Sequence, residues 1–278
     1  MKLFISTALA AALAVTLPGC KEQPAGGNAA ATGAEAASLE ALNGTWTFDL
    51  ASAKFTGKPD EYLLKDGSYS CSTCIPPLTV PADGAFHPVA DRPYYDSMSV
   101  KVVDARTVET RRRKGDKEVS SLLAEVSEDG NTLTFSFKDM TTPGQTIEGK
   151  STAKRVGPAP AGAHAISGQW QADRIGEYSE AARDVTFAIK GDTVTSTGQG
   201  QTYTATIGGP AVPLQGDTGG TTVKVERDGN ALKETYTRGG KVVGVATLTP
   251  NADGRTVSYS STDPRDGSGS SFTLNKKS

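Results

Sequence analysis

Cys71-Ser72-Thr73-Cys74 has the spacing of redox and metal motifs. A c-type haem needs histidine at position 75, which here is Ile75. A zinc site needs two further ligands, and His87 is the one cysteine or histidine nearby. Thioredoxin-like chemistry places such a pair at a helix start in a βαβ unit, where the thiol pKa falls. Here the pair precedes Ile75-Pro76-Pro77 in a β-rich stretch. A local disulfide is the first expectation, with a redox-active pair and a metal site as alternatives.

Ser151-Thr152-Ala153-Lys154 matches the Ser-x-x-Lys pattern of a serine nucleophile. That chemistry needs a helix, whereas on a strand residues three apart point to opposite faces. The remaining signals are thin. The chain holds two histidines, His87 and His164, and no HExxH, GxSxG or phosphate-loop pattern. Asp60-Glu61 and Glu128-Asp129 fall at turns, where solvated acids are ordinary. We expect no catalytic residue, no metal and no cofactor, with a hydrolase kept as the remote alternative.

Arg111-Arg112-Arg113-Lys114 ends in a Gly115-Asp116 turn. Charges there protect a strand end from mispairing. Alternation adds a second reading. If Val108 faces inward, so do Thr110, Arg112 and Lys114, and an inward arginine can hold a ligand carboxylate. Leu232, Glu234, Tyr236 and Arg238 occupy the same face further along the chain. Arg112, Lys114, Tyr236 and Arg238 are therefore the candidate ligand-binding residues. A third reading is a basic patch for an anionic envelope component, which a steep salt dependence would reveal.

Around these residues the chain divides into recognisable parts. Lys2 followed by an apolar run to Leu17 and the small junction Gly19-Cys20 has the layout of an export signal. The run is too short to span a bilayer. The junction resembles the bacterial lipobox, which implies a lipidated Cys20 as the new N-terminus. Residue 21 is lysine and not the aspartate of inner-membrane retention. The resemblance thus implies an outer-membrane anchor facing the periplasm, with a soluble secreted or periplasmic protein as the alternative. Residues 1–19 read as the signal and 20–38, rich in Ala, Gly and Asn, as lipidated cysteine and flexible tether.

Beyond the tether, charge is balanced in both halves of the chain: 15 basic against 17 acidic residues over 39–156, and 12 against 12 over 165–278. Neither half carries the basic excess that nucleic-acid binding requires. Thr, Val, Ser and Gly are abundant and aromatics make up 6% of the chain, a mix that favours β-structure.

The chain also repeats itself. Gly44-Thr45-Trp46 returns as Gly168-Gln169-Trp170, an offset of 124. His87-Pro88-Val89 aligns with Val212-Pro213-Leu214, and Lys114-Gly115-Asp116-Lys117 with Arg238-Gly239-Gly240-Lys241. Asp129-Gly130-Asn131-Thr132-Leu133 returns as Asp253-Gly254-Arg255-Thr256-Val257. We read two homologous domains, 39–156 and 165–278, joined by the Pro/Gly/Ala linker 157–164. Leu133, Phe135 and Phe137 alternate with polar residues, as do Val223 and Val225, and turn signals recur about every ten residues. The predicted fold is all-β: two tandem small antiparallel up-and-down barrels, closure removing exposed edges.

Gly-x-Trp on a first strand, followed by an up-and-down strand series, resembles lipocalins and their calycin relatives. The two-copy pattern over 39–278 is similar to bacterial lipocalin-like lipoproteins. That resemblance implies that Trp46 and Trp170 plug the closed ends of their barrels. Each would lie beneath a basic residue of a last strand, Arg155 in the first copy and Lys276 in the second. It also implies a small apolar or amphipathic ligand. The expected partners are the membrane, through the lipid, such a ligand, or an envelope protein; the alternative is an interaction module with solid-packed barrels.

Overall fold

The structure, a computed structural model, describes residues 38–277. The run 1–19, Cys20 and the tether as far as residue 37 lie outside the described residues. A 3-10 turn, Leu39–Leu42, leads into β1 (Gly44–Thr56), β2 (Asp60–Lys65), β3 (Ser68–Cys71), β4 (Leu78–Pro81) and β5 (Asp83–Pro88). Next come β6 (Ser97–Val102), β7 (Thr107–Lys114), β8 (Lys117–Val126), β9 (Thr132–Asp139) and β10 (Ile147–Val156). The second repeat supplies β11 (Gly168–Tyr178), β12 (Asp184–Lys190), β13 (Thr193–Gly198), β14 (Gln201–Thr206) and β15 (Val212–Pro213). It ends with β16 (Thr222–Asp228), β17 (Ala231–Arg238), β18 (Lys241–Pro250), β19 (Thr256–Thr262) and β20 (Gly269–Lys276).

Period-two patterning makes these strands. Leu133 and Phe135 on β9, and Val223 and Val225 on β16, are buried while their neighbours are not. The repeated Asp-Gly turns have a common cause. Asp129 Oδ1 accepts the Asn131 amide at 3.0 Å and Asp253 Oδ1 the Arg255 amide at 2.8 Å, so each side chain nucleates its own turn.

All the strands of the described residues fall into two ten-stranded antiparallel sheets. The first runs β4-β3-β2-β11-β10-β9-β8-β7-β6-β5 and the second β14-β13-β12-β1-β20-β19-β18-β17-β16-β15. Each curls into a nearly closed barrel around its own core. The second is bridged shut by Thr202 and Gln215, which exchange amide-to-carbonyl bonds of 3.0 and 2.8 Å. Two tandem antiparallel barrels are what the sequence led us to expect.

Their composition corrects the expected assignment of 39–156 to one barrel and 165–278 to the other. The two repeats exchange their first strands. β1 pairs with β20 and β12 of the second repeat, and β11 pairs with β10 and β2 of the first. The linker turns β11 straight back onto β10, so β11 takes the seat beside the last strand that β1 would fill in a self-contained repeat. β1 then closes the other barrel. Longer loops add little closure cost, about 0.6 kcal/mol per doubling, so the long-range pairing of β1 is accessible once the β10–β11 hairpin has formed.

Candidate functional site

The exchange crosses the tryptophan pairs. Arg155 lies 4.0 Å from the Trp170 ring and Lys276 5.2 Å from the Trp46 ring. The expected partnerships, Trp46 with Arg155 and Trp170 with Lys276, are thus corrected, because each cation meets the tryptophan carried in by the other repeat. The local reason for Gly-x-Trp is visible here. Gly168 has φ +126°, and a Cβ on it would lie 2.6 Å from Arg155 Nη1, so only glycine lets the guanidinium cross the strand. Gly44 has φ +118° beneath the Lys276 side chain. Both indoles are buried and donate to a backbone carbonyl four residues earlier, Leu42 at 2.6 Å and Ile166 at 2.8 Å. Arg155 donates to the carbonyls of Gly130, Ala165 and Ser167 at 2.6–2.7 Å, and burial lowers its pKa. These ends are filled by side chains.

The arginine run is divided. Arg111 pairs with Glu118, and Arg113 stacks 3.7 Å from the Phe86 ring. Arg112 lies 5.2 Å from the Tyr95 ring and donates to Ser120 Oγ at 3.3 Å. Burial pushes the nearby Tyr62 and Tyr69 hydroxyls well above their ordinary range, and the Arg112 charge opposes that push. Lys114 does not follow. A bulge between Arg112 and Arg113 in the β7–β8 pairing breaks the alternation, and Lys114 is exposed, which corrects its expected inward position.

On the matching face of the second barrel, Glu234 is 4% exposed. Tyr203 and Tyr236 both donate to its carboxylate, the latter at 2.7 Å. Burial raises the Glu234 pKa and outweighs those two hydrogen bonds. The hydroxyl of Tyr259, beside Ser261, is buried and finds no partner of hydrogen-bonding geometry. A bulge after Tyr236 turns Arg238 away. Arg238 donates to Thr221 Oγ1 at 2.7 Å and to Tyr94 Oη, and its guanidinium lies 4.8 Å from the Tyr94 ring. Tyr94 belongs to the β5–β6 connection of the first barrel and donates to Asp217 Oδ1 at 2.6 Å. Arg238 therefore ties the barrels together. Arg112, Lys114, Tyr236 and Arg238 do not converge on one site.

Cys71 and Cys74 form a disulfide, with Cα atoms 5.4 Å apart. Arg92 clamps the adjoining segment by donating to the carbonyls of Ile75 at 3.0 Å, Pro76, and Pro77 at 3.3 Å. Cys74, Ile75 and Pro77 form one wall of a cavity of about 420 Å³ lying between the barrels. Phe48, Leu50 and Phe55 of β1, Trp170, Ala172 and Ile175 of β11, and Phe272 of β20 line much of its remaining apolar surface. The exchanged strands bring these residues together. Ile175 and Tyr178 are bonded into the sheet of the first barrel, yet their side chains pack on the core of the second.

The histidines serve structure. His87 Nε2 meets Asp83 at 2.9 Å, and His164 accepts the Ile166 amide at Nδ1, leaving Nε2–H to donate to the Asp104 carbonyl at 2.7 Å. Ser151 is buried, whereas Lys154 is exposed and bonded to Thr132. Among the described residues no three His, Cys, Asp or Glu side chains gather as a metal site. Sequence reasoning missed the cavity and the Glu234–Tyr203 bond. The only sequence signal for the latter was the inward register of Glu234. No family model matches the chain, and no curated protein matches it.

Proposed function

We propose that the chain is a membrane-anchored periplasmic lipoprotein that binds a small apolar or amphipathic molecule without transforming it, and that the binding site is the cavity between the barrels. The observation that carries this reading is the cavity itself. Its volume of about 420 Å³ falls within the roughly 300–1,000 Å³ range of small-molecule sites, and apolar atoms make up most of its lining surface. Neither histidine lines it, and the one cysteine that does is in a disulfide. The lipid anchor rests on the lipobox-like Leu17-Pro18-Gly19-Cys20.

The test uses the exported chain purified without its lipid. Native and denaturing mass spectrometry should reveal a stoichiometric small molecule, or the empty protein should bind an uncharged apolar fluorophore at one site. Ala172→Phe, which fills the cavity from β11, should abolish that binding while leaving the far-ultraviolet spectrum unchanged. No saturable binding by the wild type, or equal binding by Ala172→Phe, overturns the reading. The second reading, an interaction module, is favoured by the side-chain packing of both barrel interiors. It predicts an empty mass and a protein partner captured from envelope extract.

A further inference from the structure

We propose that the occupant is a single-chain aliphatic carboxylate, with its head held by Arg174 and Arg183 and its tail in the cavity. This inference rests on the reading of the cavity as a binding site. The cavity shares Phe48, Leu50, Arg174, Ile175 and Arg183 with an open groove running along β1 and β11. Arg174 and Arg183 thus stand at the mouth where the cavity meets the groove. Such a mouth suits an amphiphile that buries its chain and leaves an anionic head at the rim.

Both arginines have loosely held partners. Arg174 reaches Asp173 only at 3.9 Å, and Arg183 reaches Glu180 at 3.5 Å, where the Glu180 side chain is 92% exposed. Pairs of this kind contribute little and are readily displaced. Arg183 Nε is buried without a hydrogen-bond partner. Of the other charged groups on the lining, all but Lys58 are engaged. Arg265 is locked to Asp263 by two bonds of 2.5 and 2.8 Å, and Asp266 accepts from Ser268 at 2.6 Å. Asp60 accepts from Thr73 at 3.4 Å, and Lys58, on the exposed β1–β2 connection, is a further cation on the lining. In the groove, Asp49 is occupied by the Ala51 amide at 3.0 Å and Asp173 by Thr152 Oγ1 at 3.2 Å. The recognition element is thus a pair of cations whose ion pairs are long or solvent-exposed, set beside the cavity.

The experiment displaces the uncharged fluorophore from the full mature chain with decanoate or decanol at pH 8. Decanoate should displace it at about a tenfold lower concentration than decanol, the gain of a charge-assisted contact. Arg174→Gln/Arg183→Gln should bring that ratio to about one. Equal potency of acid and alcohol in the wild type overturns the inference, as does a preference that survives in the double variant. In either case Ala172→Phe still blocks the fluorophore and the cavity reading stands. If Ala172→Phe binds like wild type, the cavity reading itself fails and this inference with it.

Discussion

Glu234 is a carboxylate held inside the second barrel by two tyrosine hydroxyls, and its burial raises its pKa. Below the ordinary glutamate range the folded and unfolded chains are both protonated there, and the native state keeps its full advantage. As pH rises the unfolded chain ionises first, so stability falls until the raised folded pKa has been passed. Glu234→Gln keeps the shape and removes the titration. Its Tm should match wild type at pH 4 and exceed it at pH 8 by about 2–4 °C, roughly 1 kcal/mol in a chain of this size; an excess independent of pH would refute the assignment. The crossed tryptophan pairs are tested at the same scale. A double-mutant cycle between Arg155→Gln and Trp170→Phe should give a coupling of about 0.5–1 kcal/mol, and the cycle between Arg155→Gln and Trp46→Phe close to none.

β1 and β11 are the elements on which the architecture turns. Deleting residues 39–57 removes β1 from between β12 and β20, leaving two strand edges and a core without Trp46. Hydrogen exchange should then accelerate in β12 and β20, while β6 to β9 of the first barrel keep their protection. Loss of protection in β9 or β10 instead would mean that β1 belongs to the first barrel. The individual strands were legible in the sequence, since Leu133, Phe135, Val223 and Val225 carry a local period and the Asp-Gly turns their own hydrogen bonds. The exchange was not. Both first strands carry Gly-x-Trp and both last strands a cation, so contiguous and exchanged barrels have the same local pattern. Lys114 was misread for a related reason: a bulge shifts alternation by one residue and leaves no mark in residue type.

The two barrels share material throughout the molecule. Ile175 and Tyr178 are bonded in one sheet and packed on the other core, and Tyr94 is held by Asp217 and Arg238 across the junction. Unfolding should therefore be a single transition. In Trp46→Phe and in Trp170→Phe, the fluorescence of the remaining tryptophan and far-ultraviolet circular dichroism should give coincident midpoints; separate midpoints would indicate independent barrels. The cavity was invisible in the sequence because its walls come from β1, β11, β20 and the disulfide segment, which no local pattern relates. Alternation located Arg112 and Glu234 on interior faces, but not the arginines at the cavity mouth. The Lys277 amide meets the Thr45 carbonyl at 2.8 Å, so the last strand ends where the first begins. A circular permutant that joins these ends and opens the chain between Thr56 and Asp60 would run through the first barrel without interruption and then through the second. The order in which the polypeptide is written could thus be changed without moving a strand.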